Sequence, residues 1–167
     1  IIGLPTTGLS ETQGVDIHRL VRDFRSRYPE HASTAIVAVN TPDFTGCFES
    51  GFGLALDAII DTLIPETRHS GRRHRQVNVL ASSMLSPGDI EAIKDWIESF
   101  GLRPVVLPDV GDSMDGHLVE KQYTPLTLGG VPLAEISAMG DSMATLAIGR
   151  SISAAADRLE ARTGVPT

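Results

Sequence analysis

Five histidines, a single cysteine and a spaced run of aspartates are the residues of widest chemical reach in this sequence. His18, His31, His69, His74 and His117 are scattered and form no metal-ligand spacing of the H-E-x-x-H kind. Asp109, Asp112 and Asp115, followed by His117, recur at intervals of three. A calcium loop needs alternate positions and a closing glutamate, so the segment reads as a solvated loop with turn chemistry at Asp115-Gly116. Cys47 lies in Thr45-Gly46-Cys47-Phe48-Glu49, near a helix start, a setting that lowers a thiol pKa. The plainer reading of one isolated cysteine is a buried structural thiol. Serine is frequent, but no G-x-S-x-G elbow accompanies it. There is no G-x-G-x-x-G and no phosphate-loop lysine. Trp96 reads as packing. No catalytic, cofactor-binding or metal-ligating set is assigned from these residues.

The elements that would position such chemistry alternate between strand and helix. Ile1 to Leu4 is a short apolar strand closed by Pro5-Thr6-Thr7-Gly8. Ile17, Leu20, Val21 and Phe24 recur with helical spacing, and Tyr28-Pro29 ends that helix. Ala35 to Val39 is a β-branched strand. Phe52, Ala55, Leu56, Ile59 and Leu63 mark a second helix, stopped at Pro65. Val77 to Leu80 is a third strand. Ser86-Pro87-Gly88-Asp89 is a helix start with a capping serine, a proline at the first position and a capping-box partner. Ile90, Ile93, Ile97 and Phe100 face the core, and Gly101 stops the helix. Pro104 to Leu107 is strand four, Leu133 to Met139 a short helix, Ala144 to Ile148 strand five. A last helix carries Ile152, Ala155, Ala156 and Leu159 on one side.

Continuous apolar strands separated by amphipathic helices imply an α/β fold of parallel sheets flanked by helices, in Rossmann-like open units with right-handed crossovers. Residues 66 to 76 are polar, with Arg68, His69, Arg72, Arg73, His74 and Arg75, and read as a solvated linker; a docking patch for an acidic partner is the alternative. Residues 1–72 then form the C-terminal part of a first α/β domain, and residues 73–167 most of a second. Ligands bind open sheets at the carboxyl ends of the strands. Four polar loops leave those ends: Thr6 to Gly14, Asn40 to Gly46, Ala81 to Ser86 and Asp109 to Gly116. In the first, helix N–H groups are an anion-binding possibility, while capping by Ser10 or Thr12 is the simpler account.

The composition is globular, with 41% hydrophobic and 21% charged residues among 167, and a net charge of −7. That acidity disfavours nucleic acid as a partner, and no apolar run reaches membrane-spanning length. The opening Ile1-Ile2-Gly3-Leu4-Pro5 reads as a strand, not a signal peptide, and suggests a chain cut from something longer. One cysteine fits a reducing, cytoplasmic setting.

Several strings, taken in order, resemble the nitrogenase component 1 family. Thr6-Thr7-Gly8-Leu9-Ser10-Glu11-Thr12-Gln13-Gly14 resembles its "TTC…E..G.D" loop. Val39-Asn40-Thr41-Pro42-Asp43-Phe44-Thr45-Gly46 and Glu49-Ser50-Gly51-Phe52 resemble the next segment. Asn78-Val79-Leu80, Ser86-Pro87-Gly88-Asp89, Phe100-Gly101-Leu102-Arg103-Pro104, Leu107-Pro108-Asp109, Asp115-Gly116-His117, Gly129-Gly130 and Arg162-Thr163-Gly164-Val165-Pro166 follow. The resemblance spans essentially the whole chain and is nearest to the family's scaffold subunits for assembly of the iron–molybdenum cofactor. It implies a non-catalytic subunit in an α2β2 complex with an E-type partner, visited by the nitrogenase iron protein. The full complex is expected to hold a [4Fe–4S] cluster and a cofactor precursor, with none bound by this chain alone. In catalytic β subunits the "TTC" cysteine ligates the P-cluster; here that position is Gly8, which has no ligand to offer. The cysteine expected to serve the scaffold's own cluster would lie before Ile1, and Cys47 matches no ligand position. Two other readings stand beside this one: a β-type subunit of a nitrogenase or nitrogenase-like reductase, and an unrelated α/β module binding a small anion. The family also implies an exposed apolar surface where further domains or a partner pack.

Overall fold

The computed structural model describes residues 1–112 and 129–167. Two parallel sheets form. In the first, β1 (Ile2–Pro5) pairs with β2 (Ile36–Val39), Ile2 opposite Ile36 and Pro5 opposite Val39. The second has the order β4 (Arg103–Leu107), β3 (Arg73–Ala81), β5 (Ser142–Ile148). Connecting helices are α1 (Gly8–Thr12), α2 (Ile17–Arg27), α3 (Phe48–Leu63), α4 (Pro87–Ser99), α5 (Leu133–Ser137) and α6 (Ser153–Thr163). The α/β reading with parallel, helix-flanked sheets holds.

β3 shows why its sequence is continuously apolar. Side chains alternate across a strand, so Leu80 joins the cluster containing Val105, Leu107, Ile60 and Ile152. Val79 and Ala81 point the other way, onto Ile90 and Ile97 of α4 and Val106. Both faces are covered, as parallel sheets require. The larger cluster also takes in Val37 and Val39 of β2, so one apolar core joins residues on either side of residue 72. α3 supplies its centre through Leu56, Ile60 and Leu63.

A polar element is buried within β3. Asn78 is fully buried and donates to the Met139 carbonyl at 3.0 Å and to Thr145 Oγ1 at 3.3 Å, while Ser142 Oγ donates to Asn78 Oδ1 at 2.7 Å. Gln76 Nε2 donates to Ser142 Oγ at 2.8 Å, and Arg103 donates to Gln76 Oε1 at 3.1 Å. Each buried amide is thereby satisfied, the condition for keeping such groups inside.

The helix start at Ser86 forms as expected. Ser86 caps α4 by accepting the Asp89 N–H, Pro87 occupies the first turn, and the Asp89 carboxylate accepts the Ser86 N–H at 2.8 Å. α6 ends at Gly164 in the left-handed conformation, φ 74°, where a β-carbon would be strained.

Four expectations need correction. Residues 68–75 are exposed, but the segment is tethered and is not a free linker. Thr67 N–H donates to the Arg162 carbonyl and Gly71 N–H to the Ser142 carbonyl, and β3 begins at Arg73 because that residue pairs with Ser142. Phe100 is 65% exposed and does not reach the core, because α4 ends before it; its ring instead meets Trp96 edge-on at 5.3 Å. Trp96 is itself 63% exposed, so it is not core packing. Of the stripe on α2, Ile17 is buried whereas Leu20 is 53% exposed. Exposed apolar surface is therefore present, on α2 and in a groove of about 450 Å³ between β1, β2 and α3 lined by Leu4, Val37, Phe52 and Ile59.

α3 and α6 are locked by charge as well as by apolar packing. Arg158 donates to Asp57 and Asp61, and Arg162 donates to Asp61 at 3.0 Å and to the Ile64 carbonyl at 2.9 Å. One arginine pair thus ties the C-terminal helix to the end of α3.

Candidate functional site

The carboxyl ends of β1 and β2 bring two of the four polar loops together. Thr6 N–H extends the ladder to the Val39 carbonyl at 2.9 Å. Thr41 N–H then donates to Thr6 Oγ1 at 2.8 Å, and Asn40 Nδ2 donates to Glu11 Oε1 at 2.7 Å. These contacts stitch the loop after β1 to the loop after β2.

Each residue of the Thr-Thr-Gly…Glu string has a local task. Thr7, not Ser10 or Thr12, is the N-cap of α1; Ser10 completes a capping box with it, and Thr12 Oγ1 donates to the Leu9 carbonyl at 2.9 Å. The cap falls one turn earlier than expected because Thr7 keeps an extended backbone while Gly8 begins the helix. Asp16 caps α2 by accepting the Arg19 N–H at 2.9 Å. That hydrogen bond holds its carboxyl below the usual range.

Gly8 is the centre of the arrangement. A β-carbon on it would lie 2.1 Å from Asp43 Oδ1 and 3.2 Å from Phe44 Cδ1. The loop after β2 therefore places a carboxylate over the position where a longer residue would project. Gly8 has no donor atom, the chain holds one cysteine, and iron–sulfur clusters are held chiefly by several thiolates. The residues here do not fit a cysteine-ligated cluster at this edge. Among the described residues, no group of three His, Cys, Asp or Glu is arranged to hold a metal ion. Replacing Gly8 with cysteine is expected to push the Asp43 carboxylate aside and cost about 1 kcal/mol, the low end for overpacking against a movable side chain. Adding Asp43→Ala should return most of that loss in a urea titration; an additive double variant would show that the two positions do not meet.

Cys47 is exposed and sits at the N-cap of α3, which corrects the buried reading. The cap is the residue where chain leaves the surface loop, so the thiol stays in solvent. The Ser50 N–H, then its hydroxyl and the Glu49 N–H, hold the thiol below its ordinary pKa, with Glu49 charge and desolvation opposing. Alkylation of Cys47 should thus rise at lower pH than for a model thiol, since the thiolate is the nucleophile. Ser50→Ala, which removes the hydroxyl and keeps the Ser50 N–H, is expected to shift the rate–pH curve partway upward; an unchanged curve would remove the hydroxyl as a cause and leave the backbone N–H.

The fourth loop is described only in part. Asp109 is not a solvated loop residue: its carboxylate meets Lys94 Nζ at 2.5 Å and accepts the Gly111 N–H at 3.1 Å. Asp115, Gly116 and His117 lie outside the described residues. The other histidines do not converge: His31 stacks on Phe24, His69 lies 3.8 Å from Asp141, and His18 borders the α2–α3 groove.

The geometry so described, two open parallel sheets with a Thr-Thr-Gly loop facing a Thr-Pro-Asp-Phe loop, agrees with a family comparison. A sequence model of the nitrogenase component 1 type oxidoreductases matches residues 1–167. The chain belongs to that family. It is 48% identical over 161 residues to the nitrogenase iron-molybdenum cofactor biosynthesis protein NifN of Klebsiella pneumoniae, covering 96% of this chain and 35% of that protein. The NifN proteins of Nostoc sp. and Bradyrhizobium diazoefficiens are 42% and 38% identical, each over 99% of this chain and 36% and 35% of their own length. The chain thus spans about a third of these relatives. A solved structure described as nitrogenase Cp1 at pH 6.5 superposes with a TM-score of 0.87 at 25% identity, covering 99% of this chain and 35% of its own. No helix among the described residues is long and apolar enough to cross a membrane.

The sequence found Gly8 and both loops that meet there. It did not find Asp43 as the group filling the space above Gly8. A hint was available, since a glycine beside a tight helix start signals close approach by another segment.

Proposed function

We propose that the full protein containing this chain is a non-catalytic scaffold subunit for assembly of the nitrogenase iron–molybdenum cofactor. It works in an α2β2 complex with an E-type partner and receives electrons from the nitrogenase iron protein. A cofactor precursor is matured on the complex. The complex also carries a [4Fe–4S] cluster, its ligands supplied by the partner and by residues outside this chain. The setting is cytoplasmic. The observation that carries the reading is Gly8 under the Asp43 carboxylate, in a chain otherwise so similar to NifN proteins. A subunit built to ligate a cluster at this edge would need a thiol there and space for it, and the loop after β2 takes that space.

Co-purification of the full-length protein with its E-type partner tests this. The expected product is a heterotetramer that takes up an iron–sulfur precursor of the cofactor. A complex that carries no cluster and accepts no precursor would sink the reading.

A further inference from the structure

We propose that the arginine-rich segment of residues 68–75 is a docking platform for an acidic protein surface. It holds Arg68, Arg72, Arg73 and Arg75 with two histidines, and no acidic residue occurs between Glu66 and Asp89, in a chain whose net charge is −7. Like charges gathered so closely repel one another, a cost that a complementary surface relieves.

The segment is held in place. Thr67 N–H donates to the Arg162 carbonyl at 3.2 Å, Gly71 N–H to the Ser142 carbonyl at 2.8 Å and Arg72 N–H to the His69 carbonyl at 3.0 Å. Arg73 is committed internally, to Asp141 at 3.5 Å and to Gln76 Oε1 at 3.1 Å. Arg68, Arg72, His74 and Arg75 are exposed and have no carboxylate partner among the described residues. The acids at the margins are already matched: Glu66 lies 3.5 Å from Arg162, and Asp141 faces Arg73 and His69. The excess positive charge is therefore both local and fixed at the amino end of β3.

Guanidinium forks match carboxylates in two-point contacts. A nucleic acid duplex is the poorer occupant. It presents charge over a long stripe, and this chain, with 21 acidic residues against 14 basic overall, would repel it. A compact carboxylate patch on a folded protein meets the platform without that penalty. The choice of partner proteins for the test rests on the proposed function; the surface itself does not.

The test uses the full-length protein and two arms. In the first, association with the E-type partner and with the iron protein is timed at about 50 and about 200 mM salt, the range over which charge contacts weaken. Arg72→Glu/Arg75→Glu is compared with Arg22→Glu/Arg27→Glu, which makes the same charge change on the exposed side of α2. The platform variant is expected to slow association with one partner about tenfold or more at low salt and to lose the salt dependence of the wild type, while the control changes little. In the second, a labelled poly-glutamate peptide is titrated; wild type binds and the platform variant does not. Arg72→Gln/Arg75→Gln replaces the reversal if it fails to fold, with the same direction and smaller size. Equal behaviour of platform and control variants toward partners that the wild type binds, no poly-glutamate binding, or duplex DNA bound in place of either protein each overturns the proposal. Loss of wild-type partner binding with poly-glutamate binding retained would count against the proposed function and leave the platform standing.

Discussion

Truncating Ile60 to alanine is expected to lower stability by about 2–5 kcal/mol. Ile60 is fully buried on α3 and packs in the cluster that joins β2, β3, β4 and α6. A cavity there lies where the two sheets share their core, so neighbouring strands cannot all collapse onto it. Leu54, on the same helix but 51% exposed, is the control, with an expected loss within about 0.5 kcal/mol. Urea unfolding followed by far-ultraviolet circular dichroism reads both. Equal losses at the two positions would mean that α3 is not the shared core helix.

The second large effect is expected at Asn78. Asn78→Leu keeps the volume roughly constant but removes the donor to the Met139 carbonyl and the acceptor for Ser142 Oγ. Each buried group left unpaired costs about 1–3 kcal/mol. Ser142 keeps its contact from Gln76, so the loss should be smaller when Ser142→Ala is added to Asn78→Leu than the sum of the single changes. A neutral Asn78→Leu would show that the network contributes nothing net to stability. The comparison separates orphaned polar atoms from lost packing, because the leucine refills the space.

These two positions differ in how far the sequence reveals them. The helical stripe through Leu56, Ile59 and Leu63 is periodic and marks α3, because local periodicity survives folding; it passes beside Ile60, the fully buried position, without including it. Ser86-Pro87-Gly88-Asp89 was legible for the same reason, since every contact of its capping box lies within one turn. Asn78 inside Val77-Asn78-Val79 reads only as an interruption; its partners, Met139, Ser142 and Thr145, come from distant elements. Phe100 and Cys47 failed in the opposite sense. Their types suggest burial, but each sits at a helix end where the chain meets solvent. The stripe on α2 has helical spacing, yet nothing local says that Leu20 stays uncovered within these residues. At the Gly8 edge, the missing side chain was plain, while Asp43 above it depends on the loop after another strand.

That edge also carries the proposed scaffold role. Two parallel strands, a capped short helix and the Asn40–Glu11 contact hold Gly8 and Asp43 in register. The same fold carried by family members with a thiol at this position would present a ligand; this chain presents glycine under a carboxylate. The proposed scaffold role therefore separates handling a cofactor precursor from performing reduction.

The most direct test of that separation is a transfer assay on the full-length protein in complex with its E-type partner. The complex is loaded with the iron–sulfur precursor and supplied with iron protein, a reductant and a molybdenum source, then mixed with nitrogenase lacking its cofactor. The account predicts that nitrogenase gains activity while the scaffold complex alone reduces no substrate. A complex that reduces substrate itself and passes nothing on would contradict it.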